Sequence, residues 1–383
     1  MSIDPFRPAF RLFFFAGSFY AVVAIFLWLL PMQEVLRYSR SDHSISWHIH
    51  EMLYGFVAAI ITGYLLTTVS RAGSNKYFVC FLLLAWFSGR LVMNCFYYSW
   101  PAFALFTLDS LFPLIIASLV IKDLIIGAKK EYLLLIPILF LFPAVNILFH
   151  FGKTENIKVS ALLFLNHMII LMITIIGGRL IYSLTLSWQR SVKSQYLPES
   201  KRTIEMGVIV VTVITAFIDV FFPGSVWLYL SALIASLFHF LRMWGWRTFK
   251  VLSSFSLLIV HLAYAWIVVG YFILAFSYYV DWINHSSAMH VLNIGTIATM
   301  ILVVMTRLSI RTKNNFIKIT SNITFILIFF ATILRLSASL LVESYKVLLL
   351  LSGALWMMAF VTFLISYSLS IYDISVFKKN RTN

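Results

Sequence analysis

The densest chemistry in this chain lies in the run Trp47, His48, Ile49, His50, Glu51, Met52. Neutral imidazole is the commonest protein ligand for a metal. On a helix, positions i and i+2 point about 200° apart. His48 and His50 therefore serve two sites, or one binds and the other faces water. Glu51 can hydrogen-bond a ligand histidine from behind. The plainer reading makes it a carboxylate favoured by the positive end of a helix. A second cluster runs from His239 to Arg247, with Arg242 and Trp246 between, and is followed by His261, Tyr264 and Trp266. It suits a proton path or a pair of axial ligands. Its plainer reading is a packed polar pair beside a belt of basic and aromatic residues. His150, His167 and His290 also lie in apolar runs, whereas His43 and His285 fall in loops and read as solvated. Cys80 and Cys95 lie toward opposite ends of one apolar segment and form no CxxC pair. Histidine sites without sulfur suit haem iron, copper or zinc.

These side chains need elements to hold them, and the composition says which. The chain has 383 residues, 61% of them hydrophobic and 11% charged. A soluble domain carries about 25% charged residues, so lipid is the natural solvent here. A membrane-spanning helix needs about 20 apolar residues. On that rule about twelve spans are expected, at 12–31, 47–68, 77–97, 101–121, 132–150, 159–181, 206–222, 225–243, 254–276, 286–306, 318–338 and 346–370. The seventh and eighth join through Phe222, Pro223, Gly224 and Ser225, and Arg335 interrupts the eleventh. The longest polar stretch is only about Ser187 to Glu205, so residues 1–383 are expected to form a single polytopic transmembrane domain. No internal repeat is evident. The first apolar run follows Arg7 and Arg11 and is long enough to span, so it reads as a retained helix rather than a cleaved signal. The net charge of +15 sits in short loops, as topology signals do, and argues against nucleic acid as a partner. Lysine and arginine gather strongly in one set of alternate loops, which places both termini in the cytoplasm.

That topology puts His48, His50, His150, His167 and His290 in the outer half of the membrane, with His239 and His261 in the inner half. Arg90, Arg179 and Arg335 fall inside spans, where each costs about 2.5–3.5 kcal/mol at a helix centre. Asp109, Asp219, Glu51 or a haem propionate would neutralise them. Gly177 and Gly178, next to Arg179, leave room for a neighbouring helix or a flat ligand. Arg307 closes the tenth span in the same way. There is no P-loop, no GxGxxG after a strand, no HExxH and no CxxCH, so any haem is not of the c type.

The same residues carry a resemblance. Matching segments are Pro5 to Pro8, Trp47 to Phe56, Gly89 with Arg90, Gly177 to Arg179, His239 to Arg247, His261 to Trp266, His290 with Gly295, and Met305 to Arg307. In these the chain resembles the NnrS family of bacterial inner-membrane proteins. It departs from the family after Arg179, where Tyr182, Leu184 and Thr185 replace a proline followed by Phe-Thr. The resemblance implies a membrane protein of about twelve helices that holds haem b and copper. It also implies a role in the response to nitric oxide and nitrosative stress. Metal-ligand candidates carry over to His48, His50, His239, His261 and His290, and the residue reading adds His150 and His167. Arg90 and Arg179 are the candidates for the haem propionates. Glu51, Tyr264, Arg242 and Arg307 are candidates for supporting these ligands or moving protons. The expected function is to bind nitric oxide or remove it reductively, with an unidentified electron donor. The alternatives are a carrier or sensor without turnover, and a metal-free secondary transporter.

Overall fold

A computed structural model describes residues 10–30, 45–68, 75–97, 99–127, 133–310 and 314–382, the last ten by backbone alone. Pro5 to Pro8 and His43 lie outside the described residues. The structure is 87% helix, without strands among the described residues. With no water in the lipid core, a spanning chain must pair its backbone groups within itself, and the helix does so locally.

Twelve helical segments follow one another. They are α1 (Phe10–Leu29), α2 (Ile45–Thr68), α3 (Lys76–Cys95), α4 (Ala102–Ile126), α5 (Leu135–Phe151) and α6 (Glu155–Ser191), then α7 (Arg202–Phe221), α8 (Val226–Gly245), α9 (Phe255–Phe276), α10 (His285–Ser309), α11 (Asn315–Leu340) and α12 (Tyr345–Thr382). Eleven of these regions are long and apolar enough to cross a membrane, and α5, with 17 residues, is shorter. The chain is thus a multi-pass membrane protein. Each expected segment coincides with a helix, and α6 and α12 extend well beyond their expected ends. Arg335 does not interrupt α11, which accommodates it by a bond from Nη2 to Ser286 Oγ at 3.1 Å. Between α7 and α8 the chain turns at Gly224, whose φ of +73° suits a residue without a side chain. Asn75 and Asn284 begin α3 and α10 as caps, accepting from Tyr77 N at 3.0 Å and Ser287 N at 2.9 Å.

Three helices contain a π-helical stretch: Glu51–Val57 in α2, Ile173–Gly177 in α6 and Val291–Ala298 in α10. Such a stretch holds one extra residue and disturbs the backbone ladder. Side chains supply bonds there: the Trp86 indole donates to Gly55 O at 2.9 Å, and Thr299 donates to Ile294 O at 3.1 Å.

The chain divides into two compact units. Unit 1 comprises 1–165, 308–321 and 360–383, and unit 2 comprises 166–307 and 322–359. In unit 1, Phe13, Phe14, Leu65, Val79, Leu82, Val120 and Leu135 are fully buried. In unit 2 the same holds for Ala232, Val260, Tyr264, Ile267, Leu274 and Leu302. Large apolar side chains such as Phe81, Leu84, Phe103, Phe140, Trp227 and Phe272 stand exposed, as a lipid-facing surface requires.

The helix pair α3–α4 makes its closest approach at Gly89. A methyl group there would lie 3.0 Å from Asp109 Oδ1 and 3.2 Å from Asp109 Cα. The glycine lets the two helices meet where the neighbouring Arg90 must reach Asp109. Gly89→Leu is therefore expected to overpack this contact and cost about 1–3 kcal/mol. The check is the thermal unfolding midpoint in detergent, with Cys80→Ala on the same helix as a near-neutral control.

Candidate metal centre

In unit 1, helices α2, α3 and α5 bring polar side chains to Asp109 of α4. His50 Nε2 lies 3.1 Å from Asp109 Oδ2, and His150 Nε2 lies 2.9 Å from the same oxygen. Asn146, one turn before His150 on α5, donates to that oxygen at 2.9 Å and accepts from His50 Nε2 at 3.0 Å. One ligand atom from each of His50, Asp109 and His150 falls within 4.8 Å of the others, and all three residues are buried.

A second layer holds these groups in place. His50 Nδ1 meets Glu51 Oε1 at 3.0 Å, so His50 stands between two carboxylates. Arg90 donates to Glu51 at 2.7 Å through Nη1 and to Asp109 through Nη2. Tyr20 donates to the other oxygen of Glu51, and Asn94 donates to Tyr20 at 2.9 Å. Tyr54 and Phe149 stack on the His50 ring at centroid distances of 4.4 and 4.1 Å.

The charges balance only with one further proton or cation. Arg90 contributes one positive charge against the two negative charges of Glu51 and Asp109. Taking charge out of water costs several kcal/mol per ion unless it is paired. With both imidazoles neutral, one negative charge remains for a proton or a metal cation to neutralise. Arg90, expected near a haem propionate, instead meets the two carboxylates of this chain that sequence reasoning also offered. His48 and His50 turn to different neighbours, as their spacing predicts. His48 is half-buried and stacks on Trp28 at 4.6 Å.

In unit 2 two histidines share a carboxylate and the others bond to hydroxyls or a carbonyl. Asp219 on α7 meets His167 Nε2 at 2.8 Å and His285 Nε2 at 3.0 Å. His285, expected to be a solvated loop residue, is thus corrected. It opens α10, is half-buried, and is held by a carboxylate from the last turn of α7. His239 uses both nitrogens, on the Tyr264 hydroxyl at 2.8 Å and the Thr212 hydroxyl at 3.1 Å. His261 also uses both, on Thr185 and Thr248, each at 2.9 Å. His290 is half-buried, and its Nδ1 lies 2.7 Å from the Ser286 carbonyl.

Arg242 donates to Thr174 O at 2.7 Å, to the Tyr264 hydroxyl at 2.9 Å and to both oxygens of Glu205, the Nε contact at 3.1 Å. Its guanidinium carbon lies 2.5 Å from where a Gly178 side chain would begin. Gly178 therefore makes room for the arginine of another helix rather than for a flat ligand. Arg179 lies on an exposed face. Arg307 is half-buried and donates to Ser256 Oγ at 3.2 Å.

Of the seven candidate metal histidines, His50 and His150 are brought together. Sequence reasoning named Asp109 only as a partner for arginine and missed Asn146 and Tyr20. The signal for Asp109 was available: it is an acid inside a predominantly apolar span. The four-residue spacing of Asn146 and His150 was a second signal, since it puts both on one helix face.

The chain belongs to the NnrS protein family, which matches residues 5–372. No curated relative matches the chain. Family membership fits a membrane protein of the nitric oxide response. The buried ion cluster makes its own forecast. Arg90→Met strands two buried carboxylates and is expected to cost about 3–5 kcal/mol. Pairing it with Glu51→Gln should recover part of that loss, as measured by thermal unfolding of the single and double variants.

Proposed function

We propose that this chain is a metalloprotein of the bacterial inner membrane that acts in nitric oxide defence, holding copper on His50, His150 and Asp109 together with a b-type haem. The observation that carries the reading is the enclosed His–Asp–His set, with its ligand atoms within 4.8 Å of one another. Imidazole nitrogen suits copper and iron, and two histidines with one carboxylate leave coordination positions open for a small ligand. The net negative charge around Arg90 calls for a proton or a cation, and a bound metal ion would supply it. Glu51 supports the same reading. A ligand histidine usually hands its other ring nitrogen to a carboxylate or carbonyl, which fixes the tautomer and raises the basicity of the ligand. Glu51 stands in that position behind His50 at 3.0 Å.

For haem, the support in the structure is His290. Its Nδ1 is held by the Ser286 carbonyl at 2.7 Å, which favours the tautomer that would offer Nε2 to a haem iron. When bound, these metals supply centres that can take nitric oxide as a ligand and pass electrons to it. The chain's own part is to hold donors rigidly, exclude water and balance charge. Tyr54 and Phe149 wall the site, and Arg90 holds Glu51 and Asp109 in place. Nitric oxide is then bound or reductively removed at the expense of an outside electron donor.

The test is metal content and visible spectroscopy of the purified protein from cells well supplied with haem and copper. His150→Ala and Asp109→Asn are expected to lose copper while keeping the haem spectrum, whereas His290→Ala loses the haem. Glu51→Gln should weaken copper affinity by about 10–100-fold. Nitric oxide should shift the reduced spectrum. A colourless, metal-free protein would sink the proposal, and the buried histidines would then belong to a transport path. Metal binding without consumption of nitric oxide in the presence of a donor would make the protein a carrier or sensor.

A further inference from the structure

Unit 2 holds a line of proton-exchanging groups for which the metal centre has no use. Glu205, Thr212 and Asp219 recur every seven residues on α7, so they share one face over about 21 Å of helix at 1.5 Å per residue. That is most of the roughly 30 Å thickness of a membrane core. Tyr264 and Tyr271 share a face of α9 by the same spacing. His167 of α6 and His239 of α8 complete the line.

The links can be followed from one end. His285, with its side chain 25% exposed, meets Asp219 at 3.0 Å, and Asp219 meets the fully buried His167 at 2.8 Å. The Tyr271 ring stacks on both imidazoles, 8° from parallel with His167 and 19° from parallel with His239. His239 bonds to Thr212 at 3.1 Å and to Tyr264 at 2.8 Å. Four buried groups on these residues, or beside them in sequence or on the same helix face, have no hydrogen-bond partner. They are His167 Nδ1, the Tyr271 hydroxyl, the Thr215 hydroxyl and the side-chain amide of Asn166. Thr215 lies on the Thr212–Asp219 face of α7, and Asn166 precedes His167. Orphaned buried polar atoms demand an explanation, and bound water is the partner such atoms usually find.

The other end is closed. Beyond Tyr264 stands Arg242, paired with Glu205 and lying against Trp246 with its guanidinium carbon 5.0 Å from the ring centroid. A guanidinium does not give up its proton in proteins, and a fixed positive charge repels an arriving one.

We infer that unit 2 contains a proton relay that enters at His285, runs through Asp219, His167, Tyr271 and His239 to Tyr264, and is stopped from leaking by Arg242. Each hop breaks one N–H or O–H bond and forms another. An imidazole gains a proton on one nitrogen as it releases one from the other. Asp219 returns to its ionised form after each transfer, and nothing is oxidised or reduced. The relay is independent of the metal assignment above and survives its failure.

The stop makes the relay testable. The full chain is reconstituted into liposomes carrying an internal pH dye, and a potassium diffusion potential drives proton entry. Wild type is expected to match protein-free vesicles. Arg242→Gln removes the charge and frees the partly exposed Glu205 as an exit, and should raise the flux by about tenfold or more. Tyr271→Phe, which deletes one hydroxyl, should return the Arg242→Gln protein to the wild-type rate. Size-exclusion profiles and melting curves establish that each variant is folded. A folded Arg242→Gln protein that conducts no better than wild type overturns the inference. So does a double variant as leaky as Arg242→Gln, since the leak would then bypass Tyr271.

Discussion

An ionised side chain inside an apolar interior must find an opposite charge within hydrogen-bond reach, and this constraint organises unit 1. Arg90 sits between Glu51 and Asp109, so α2, α3 and α4 are tied at one level by groups that cannot be separated cheaply. Other features follow from that knot. Gly89 lacks a side chain because Asp109 must come against it, and Tyr20 and Asn94 complete the bonding of Glu51. His50 and His150 are then placed by the same two carboxylates. The candidate metal centre thus lies where two acids meet one arginine.

Unit 2 uses similar residues to a different end. Asp219 also lies between two histidines, but the nearby arginine pairs elsewhere. Arg242 is bound to Glu205, two heptads away from Asp219 along α7. Cation and carboxylate are separated by a line of neutral hydroxyls and rings instead of being locked together. One unit concentrates its charges where an ion can be held, and the other distributes them along a helix face. The difference lies in the distance between the acid and its base.

Much of the architecture was legible from composition, because a chain so rich in apolar residues can satisfy its backbone in lipid only as helices. The places of the helices followed from the apolar runs, and the divergence of His48 from His50 followed from helical periodicity. The grouping of the histidines did not follow. It depends on which helices lie side by side, and span-by-span reading carries no information about neighbours. His150 entered only from the residue reading and not from the family motifs, yet it is the histidine that α5 brings to Asp109. His285 was assigned to solvent from its loop context, which ignored an aspartate on a helix far away in sequence. Gly178 was correctly seen as making room, but the occupant is the Arg242 side chain, whose reach from another helix is a tertiary fact.

The π-helical stretches separate two kinds of mutational tolerance. In α2 the extra residue lies just after His50, and in α10 just after His290. Removing any one residue between Glu51 and Val57 would let the helix return to regular winding. Everything on the N-terminal side would then turn by about 100° relative to the rest. Trp47 would leave its bond to Met93 O, and His50 would swing away from Asp109. Many single substitutions in this stretch leave the register intact, whereas a codon deletion anywhere in it re-aims a whole turn of the helix. These segments should therefore vary in their side chains across natural variants while holding their length constant.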